Sequence, residues 1–183
     1  KSGLYYWDVE DLINNTWQNR TQREQFYVLS RGFTSTFDLN TRLWSPVEGT
    51  WVRTSTGFYK SAGIPDYYAS AMQQEYFEKN YVYEVKLKRK YSIYPSFIVI
   101  NGSPDPLMSN GMWLYGHVLE FTNSGEWRFS RIVGGTVEEM ASGTSPYIEP
   151  YSWNTWTIWT DHPDIYVWVN GVFLVKVTET DPN

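Results

Sequence analysis

The segment YVYEVKLKRK at positions 81–90 places Tyr81, Tyr83, Val85 and Leu87 on one parity and Glu84, Lys86 and Lys88 on the other. Side chains of a strand point alternately to its two faces, so this pattern predicts a strand with one buried and one wetted side. Phe97–Ile100 is apolar throughout and predicts a central strand ending at the Asn101-Gly102 turn signal. The polar stretch Ser103–Asn110, with Pro104 and Pro106, reads as a loop. Beyond it, Trp113–Phe121 and Glu126–Val133 flank Asn123-Ser124-Gly125, the composition of a three-residue hairpin loop with Gly125 left-handed. The register that follows sets Phe121 opposite Trp127, Glu120 opposite Arg128, Leu119 opposite Phe129 and His117 opposite Arg131. Cross-strand energetics favour this register, whereas a one-residue slip would set charge against ring along the whole ladder.

The C-terminal third repeats the theme. Thr155–Thr160 alternates rings with threonines, Asp161-His162-Pro163-Asp164 turns the chain, and Ile165–Val177 contains an Asn170-Gly171 turn signal. Ile165, Val167 and Val169 share a face that belongs in a core. Tyr166 and Trp168 share the other, which lines a groove or a second packing layer.

Upstream, Trp51–Arg53 and Gly57–Lys60 read as paired short strands, and Tyr68–Tyr76, rich in Ala, Met, Gln and Glu, reads as a short helix. Asp8–Arg23 carries Val9, Leu12, Ile13 and Trp17 at helix-compatible spacing, which predicts a short helix or an irregular arm; Gln25–Leu29 reads as a strand. With no fixed-period repeat, the expectation is all-β: one two-sheet antiparallel β-sandwich of jelly-roll type over residues 37–183. Residues 1–36 form an arm, extra strand or short helix packed on it within a single structural domain.

Composition narrows the function classes. The 20 acidic and 15 basic residues of the 183 leave a net charge of −5, and the only basic run is Lys86–Lys90 on one strand, so no face suits a phosphate backbone and nucleic acid is not expected as a partner. Cysteine is absent and only His117 and His162 are present, which removes disulfides, thiolate chemistry and a zinc site built on several histidines. No apolar run approaches the roughly 18 residues of a helical membrane span. The acidic, aromatic-rich, cysteine-free composition predicts an exported bacterial domain, extracellular or at the cell surface, whose signal segment is not part of this sequence. Its 10 Trp, 15 Tyr and 9 Phe are more than a core of this size requires, and ring faces stack on the CH-rich faces of sugars.

The series Phe37-Asp38, Trp44, Gly49, Trp51 and Gly57, then YVYEVKLKR, GHVLEFTNSGEWRFSRIVGG and WNTWTIWTDHPDIYVWVNGVFLVKV, resembles the concanavalin A-like lectin/glucanase sandwich. More narrowly it resembles laminin-G-like bacterial domains and the related 3-keto-disaccharide hydrolase-like family. The resemblance covers roughly residues 37–177 and implies fold more than activity. Members commonly add a closing Gly-rich strand, a place Gln25–Leu29 could fill. The E-x-D-x-x-E or E-x-D-x-E run of the concanavalin-like endoglucanases does not occur here.

A glycosidase needs two carboxyls flanking the scissile bond. Glu84 and Glu120 are the strand carboxylates to test, although lysines surround Glu84 and Arg128 accounts for Glu120. The resemblance also implies a loop calcium, for which Asp105, Asp161 and Asp164 are the available carboxylates; no other cofactor is expected. Trp51, Trp127 and Phe129 are assigned to the core. Trp113, Tyr115, Trp153, Tyr166 and Trp168 are assigned to a ligand surface, with His117 and Arg131 as hydrogen-bond donors to sugar hydroxyls, against the simpler reading of His117 as a satisfied buried side chain. The expectation is a lectin-like module that holds an oligo- or polysaccharide without cutting it. A glycoside-processing enzyme of the same fold and a protein-interaction sandwich are the alternatives, and the oligomeric state stays open.

Overall fold

Every regular element among the described residues is a strand, as the runs of Val, Ile, Tyr and Trp require. The chain, represented by a computed structural model, divides into two units, Lys1–Ser35 and Thr36–Asn183. Residues 44–51, 80–89 and 94–180 are described with their side chains; 3–7, 10–13, 16–19, 24–28, 52–53, 59–62 and 70–73 are described as strand backbone only.

In the first unit β1 (Gly3–Trp7), β2 (Glu10–Ile13), β3 (Thr16–Asn19) and β4 (Glu24–Val28) form two antiparallel pairs, β1 with β4 and β2 with β3. A helix over Asp8–Arg23 is thereby corrected: Leu12 and Trp17 are ladder partners across a hairpin. They are five positions apart, a spacing that short apolar patterns cannot assign to one period. The predicted strand at Gln25–Leu29 is β4, and its partner is β1 of the same unit.

The second unit opens with β5 (Trp44–Glu48), β6 (Thr50–Arg53), β7 (Tyr59–Ala62) and β8 (Ser70–Gln73), paired β5 with β8 and β6 with β7. The expected helix at Tyr68–Tyr76 is therefore corrected to a strand; helix propensity is a weak preference that ladder pairing overrides.

The remaining strands are β9 (Tyr81–Lys88), β10 (Ser96–Leu107), β11 (Trp113–Phe121), β12 (Glu126–Val133), β13 (Thr136–Thr144), β14 (Trp153–Asp161), β15 (Asp164–Val169) and β16 (Val172–Thr178). They build two four-stranded antiparallel sheets, β10-β11-β12-β13 (sheet I) and β16-β15-β14-β9 (sheet II). Ile98, Leu119, Phe121, Trp127 and Phe129 of sheet I share one core with Trp156, Ile158, Ile165, Val167 and Val177 of sheet II, which makes the unit a two-sheet antiparallel β-sandwich. At one margin the Tyr81 hydroxyl donates to Asn101 Oδ1 at 2.7 Å, tying β9 to β10. Burial raises the phenol pKa of both Tyr81 and Tyr83 to about 12.

The β11–β12 hairpin has the register its charges and rings dictate, with Glu120 opposite Arg128, Leu119 opposite Phe129 and His117 opposite Arg131. Gly125 is left-handed at φ 85°, and the Thr122 amide closes the loop on the Glu126 carbonyl at 2.9 Å. Two segments differ from expectation. The predicted loop at Ser103–Asn110 is partly strand, because β10 continues through register shifts that pair Ser103 with Tyr115 and Leu107 with Trp113. β13 is a strand with little sequence signal: only Met140 and Ala141 of its side chains pack on the core, so its alternation is faint.

Candidate functional site

Outward positions of sheet II build a row of rings. Cross-strand pairing sets Trp159 beside Tyr166 and Trp168 beside Phe173, and the centroids step 5.0 Å from Trp159 to Tyr166, 6.1 Å to Trp168 and 5.7 Å to Phe173. The first two steps are nearly parallel, at 22° each, and the last is edge-on at 67°. Rings lying flat side by side could not come this close, so they overlap like shingles and each hides part of its neighbour's face. Exposure follows: the end rings Trp159 and Phe173 are 40% and 53% exposed, whereas Tyr166 and Trp168 are half-buried. Lys176 Nζ lies over the Tyr166 ring, 5.3 Å from its centroid, and forms an ion pair at 2.8 Å with Asp164.

Tyr166 and Trp168 are legible from alternation alone. Trp159 shared parity with Trp153 and was available to the same argument. Phe173 and Lys176 were hidden by a bulge between Val167 and Trp168, whose extra β16 residue brings positions three apart onto one face. Trp153 lies on this face as well, at the far end of β14 opposite Lys88.

His117 and Arg131 do not join that row. They face each other on the inner side of sheet I, where the core ends, and His117 stacks on Phe129 at 5.9 Å. His117 is buried, its Nε2 is 2.9 Å from Glu179 Oε1, and His162 Nδ1 is 3.2 Å from the other oxygen of the same carboxylate. Neither ring nitrogen of His117 makes a hydrogen bond of good geometry among the described residues. Burial lowers the His117 pKa, Glu179 opposes that shift, and the Arg131 guanidinium reinforces it.

The other candidates separate further. Trp113, expected on a ligand surface, is only 7% exposed at the start of β11 and packs over Gly102, which takes it out of any stacking surface. Tyr115 is exposed. Glu84 projects from the outer face of sheet II and accepts from Thr157 Oγ1 at 3.2 Å, whereas Glu120 lies on the outer face of sheet I in an ion pair with Arg128. The two carboxylates thus stand on opposite sides of the sandwich. Asp164 is engaged by Lys176, Thr178 and Tyr166, and the Lys176 and Thr178 hydrogen bonds lower its pKa. Asp105 and Asp161 are exposed, and no group of three His, Asp or Glu side chains among the described residues has the spacing to hold a metal ion.

No protein-family model matches the chain, and no curated protein matches it. Among solved structures it is similar to the carbohydrate-binding module CBM66 from Bacillus subtilis, with a TM-score of 0.62, 13% identity, and coverage of 82% of this chain and 85% of that one. Sheep galectin-11, solved in complex with glycerol, superposes with a TM-score of 0.46 at 12% identity over 66% of this chain and 84% of that one. At 13% identity the first likeness is one of fold: a β-sandwich.

Proposed function

We propose that this chain is a non-catalytic carbohydrate-binding module of an exported or surface protein, holding an oligo- or polysaccharide against the outer face of sheet II. The observation that carries the reading is the ring row from Trp159 to Phe173, its end rings exposed and its middle rings half-buried, while the aliphatic face of the same strands fills the core. Sugar rings stack on such faces through their CH groups, and Lys176 and Thr157 beside the rings supply polar edges for hydroxyls. The shared fold with a carbohydrate-binding module supports the same reading. A glycosidase role loses its carboxylate pair, since Glu84 and Glu120 lie on opposite outer faces and cannot flank one glycosidic bond.

Affinity electrophoresis through gels containing soluble polysaccharides, run beside a reducing-sugar assay, tests the proposal. Retardation without released sugar supports a module. Released sugar would replace it with an enzyme, and neither effect would turn the ring row into a protein-contact surface.

A further inference from the structure

The outer face of sheet I holds two buried side chains that solvent would ordinarily surround. Ser130 is 1% exposed and its hydroxyl has no hydrogen-bond partner among the described residues, while Glu120 is 6% exposed. Val118 and Ile132 on the same face are buried with Met112, because the turn from Met108 to Met112 folds back over the sheet. Beneath that turn is a cavity of about 80 Å³, lined by Asn110, Glu120, Arg128 and Ser130 on its polar side and by Met108, Met112 and Ile132 on its apolar side. That is room for several waters, the scale of one side of a sugar ring.

We infer that this cavity is a second carbohydrate subsite that takes a single neutral glycosyl unit, the end of a chain; the inference rests on the carbohydrate-binding reading but not on the ring row. Both Arg128 hydrogen bonds to Glu120 go to Oε2, which leaves Oε1 to accept from a sugar hydroxyl. Ser130 Oγ supplies an unused donor and acceptor. Asn110 spends its Oδ1 on the Met112 amide at 3.1 Å, leaving its amide N–H groups to donate. Val118 and Ile132 form a floor for the CH face of the ring. The ion pair balances its own charge, so the ligand is neutral; a carboxylated sugar would meet the free oxygen of Glu120. A neighbouring depression of about 170 Å³ shares Glu120 and Arg128 as its wall and gives the next unit a place. An orphaned hydroxyl beside a half-used carboxylate is the pattern of a site awaiting a polyhydroxy ligand.

The chain has four methionines, Met72, Met108, Met112 and Met140. Protein labelled with ¹³C at the methionine methyls and titrated with D-glucose, D-galactose, D-fructose and cellobiose, to about 50 mM because one ring on a few hydrogen bonds binds weakly, reads the cavity directly. The Met108 and Met112 signals should shift saturably with at least one of these sugars, with Met140, which packs on the sandwich core, unmoved and D-glucuronate inactive. Ser130→Ala, which removes a hydroxyl without a partner, should leave the melting midpoint unchanged and weaken the sugar about three- to tenfold; Glu120→Gln should weaken it about tenfold or more. No shift with any neutral sugar, a uniform shift of all four methyls, or a titration unchanged in both variants overturns the inference. Trp159→Ala separates it from the ring-row reading. Lost gel retardation with the methionine shifts intact leaves both standing, whereas lost retardation without any methionine shift removes the cavity subsite alone.

Discussion

Glu179, just past the last strand, holds both histidines of the chain: Oε1 stands 2.9 Å from His117 Nε2 and Oε2 stands 3.2 Å from His162 Nδ1. The contact ties the end of β16 in sheet II to the inner face of sheet I. Burial, opposed by Glu179 and reinforced by Arg131, lowers the His117 pKa in the fold, whereas an unfolded chain titrates it near 6.5.

Stability should therefore fall as pH drops through about 6.5 and level off below the folded-state pKa of His117. In that window the unfolded state binds the extra proton and the slope of unfolding free energy with pH is positive. Urea midpoints at pH 7 and pH 5 measure it. His117→Gln should flatten the difference, and a wild-type midpoint equal at both pH values would refute the argument.

The end rings and the middle rings should respond differently to truncation. Trp159→Ala and Phe173→Ala remove exposed faces and should abolish polysaccharide retardation while changing stability by only about 0.5 kcal/mol. Trp168→Ala also removes contacts to Tyr166 and Phe173, so it should lose roughly 1–2 kcal/mol as well as binding. Equal destabilisation by all three variants would mean that the row is packing and not a platform.

Trp156 is fully buried at the centre of the sandwich, its ring 4.3 Å from that of Phe121, and its Nε1 has no partner among the described residues. Trp156→Ala should cost about 3–5 kcal/mol by chemical denaturation. Trp156→Phe should cost well under half of that, because the donor it deletes is already unsatisfied. Similar losses for both would show that the indole N–H does have a partner in solution.

Gly125→Ala tests the hairpin loop. Its φ of 85° disfavours any side chain, and a methyl there would sit 2.7 Å from the Ser145 carbonyl oxygen. The loss should be about 2 kcal/mol or more. A thermal midpoint within error of wild type would show that the loop adopts another turn.

The strands from Tyr81 onward were largely legible because each has one face in a core and one in water, and period-2 alternation records that division residue by residue. The Glu120–Arg128 and Phe121–Trp127 pairs even specified register, since their alternatives set charge against ring. Before residue 81 the runs are short and mixed, and propensity at Tyr68–Tyr76 pointed to a helix where β8 forms. Of the aromatics assigned to a ligand surface, parity placed Tyr166 and Trp168 on the outward face of β15, but it could not reveal that overlap hides part of their faces.

By itself the sequence determined the all-β architecture, the β11–β12 register and which face of β15 enters the core, because those depend on local alternation and nearest-strand chemistry. Only the tertiary structure decided that Trp113 is buried and that a bulge brings Phe173 and Lys176 beside the ring row. It also decided that Glu179 gathers both histidines and that a turn at Met108–Met112 roofs a polar cavity. Those facts depend on which distant segments meet, and neither a bulge nor an inter-sheet contact leaves a period in the chain.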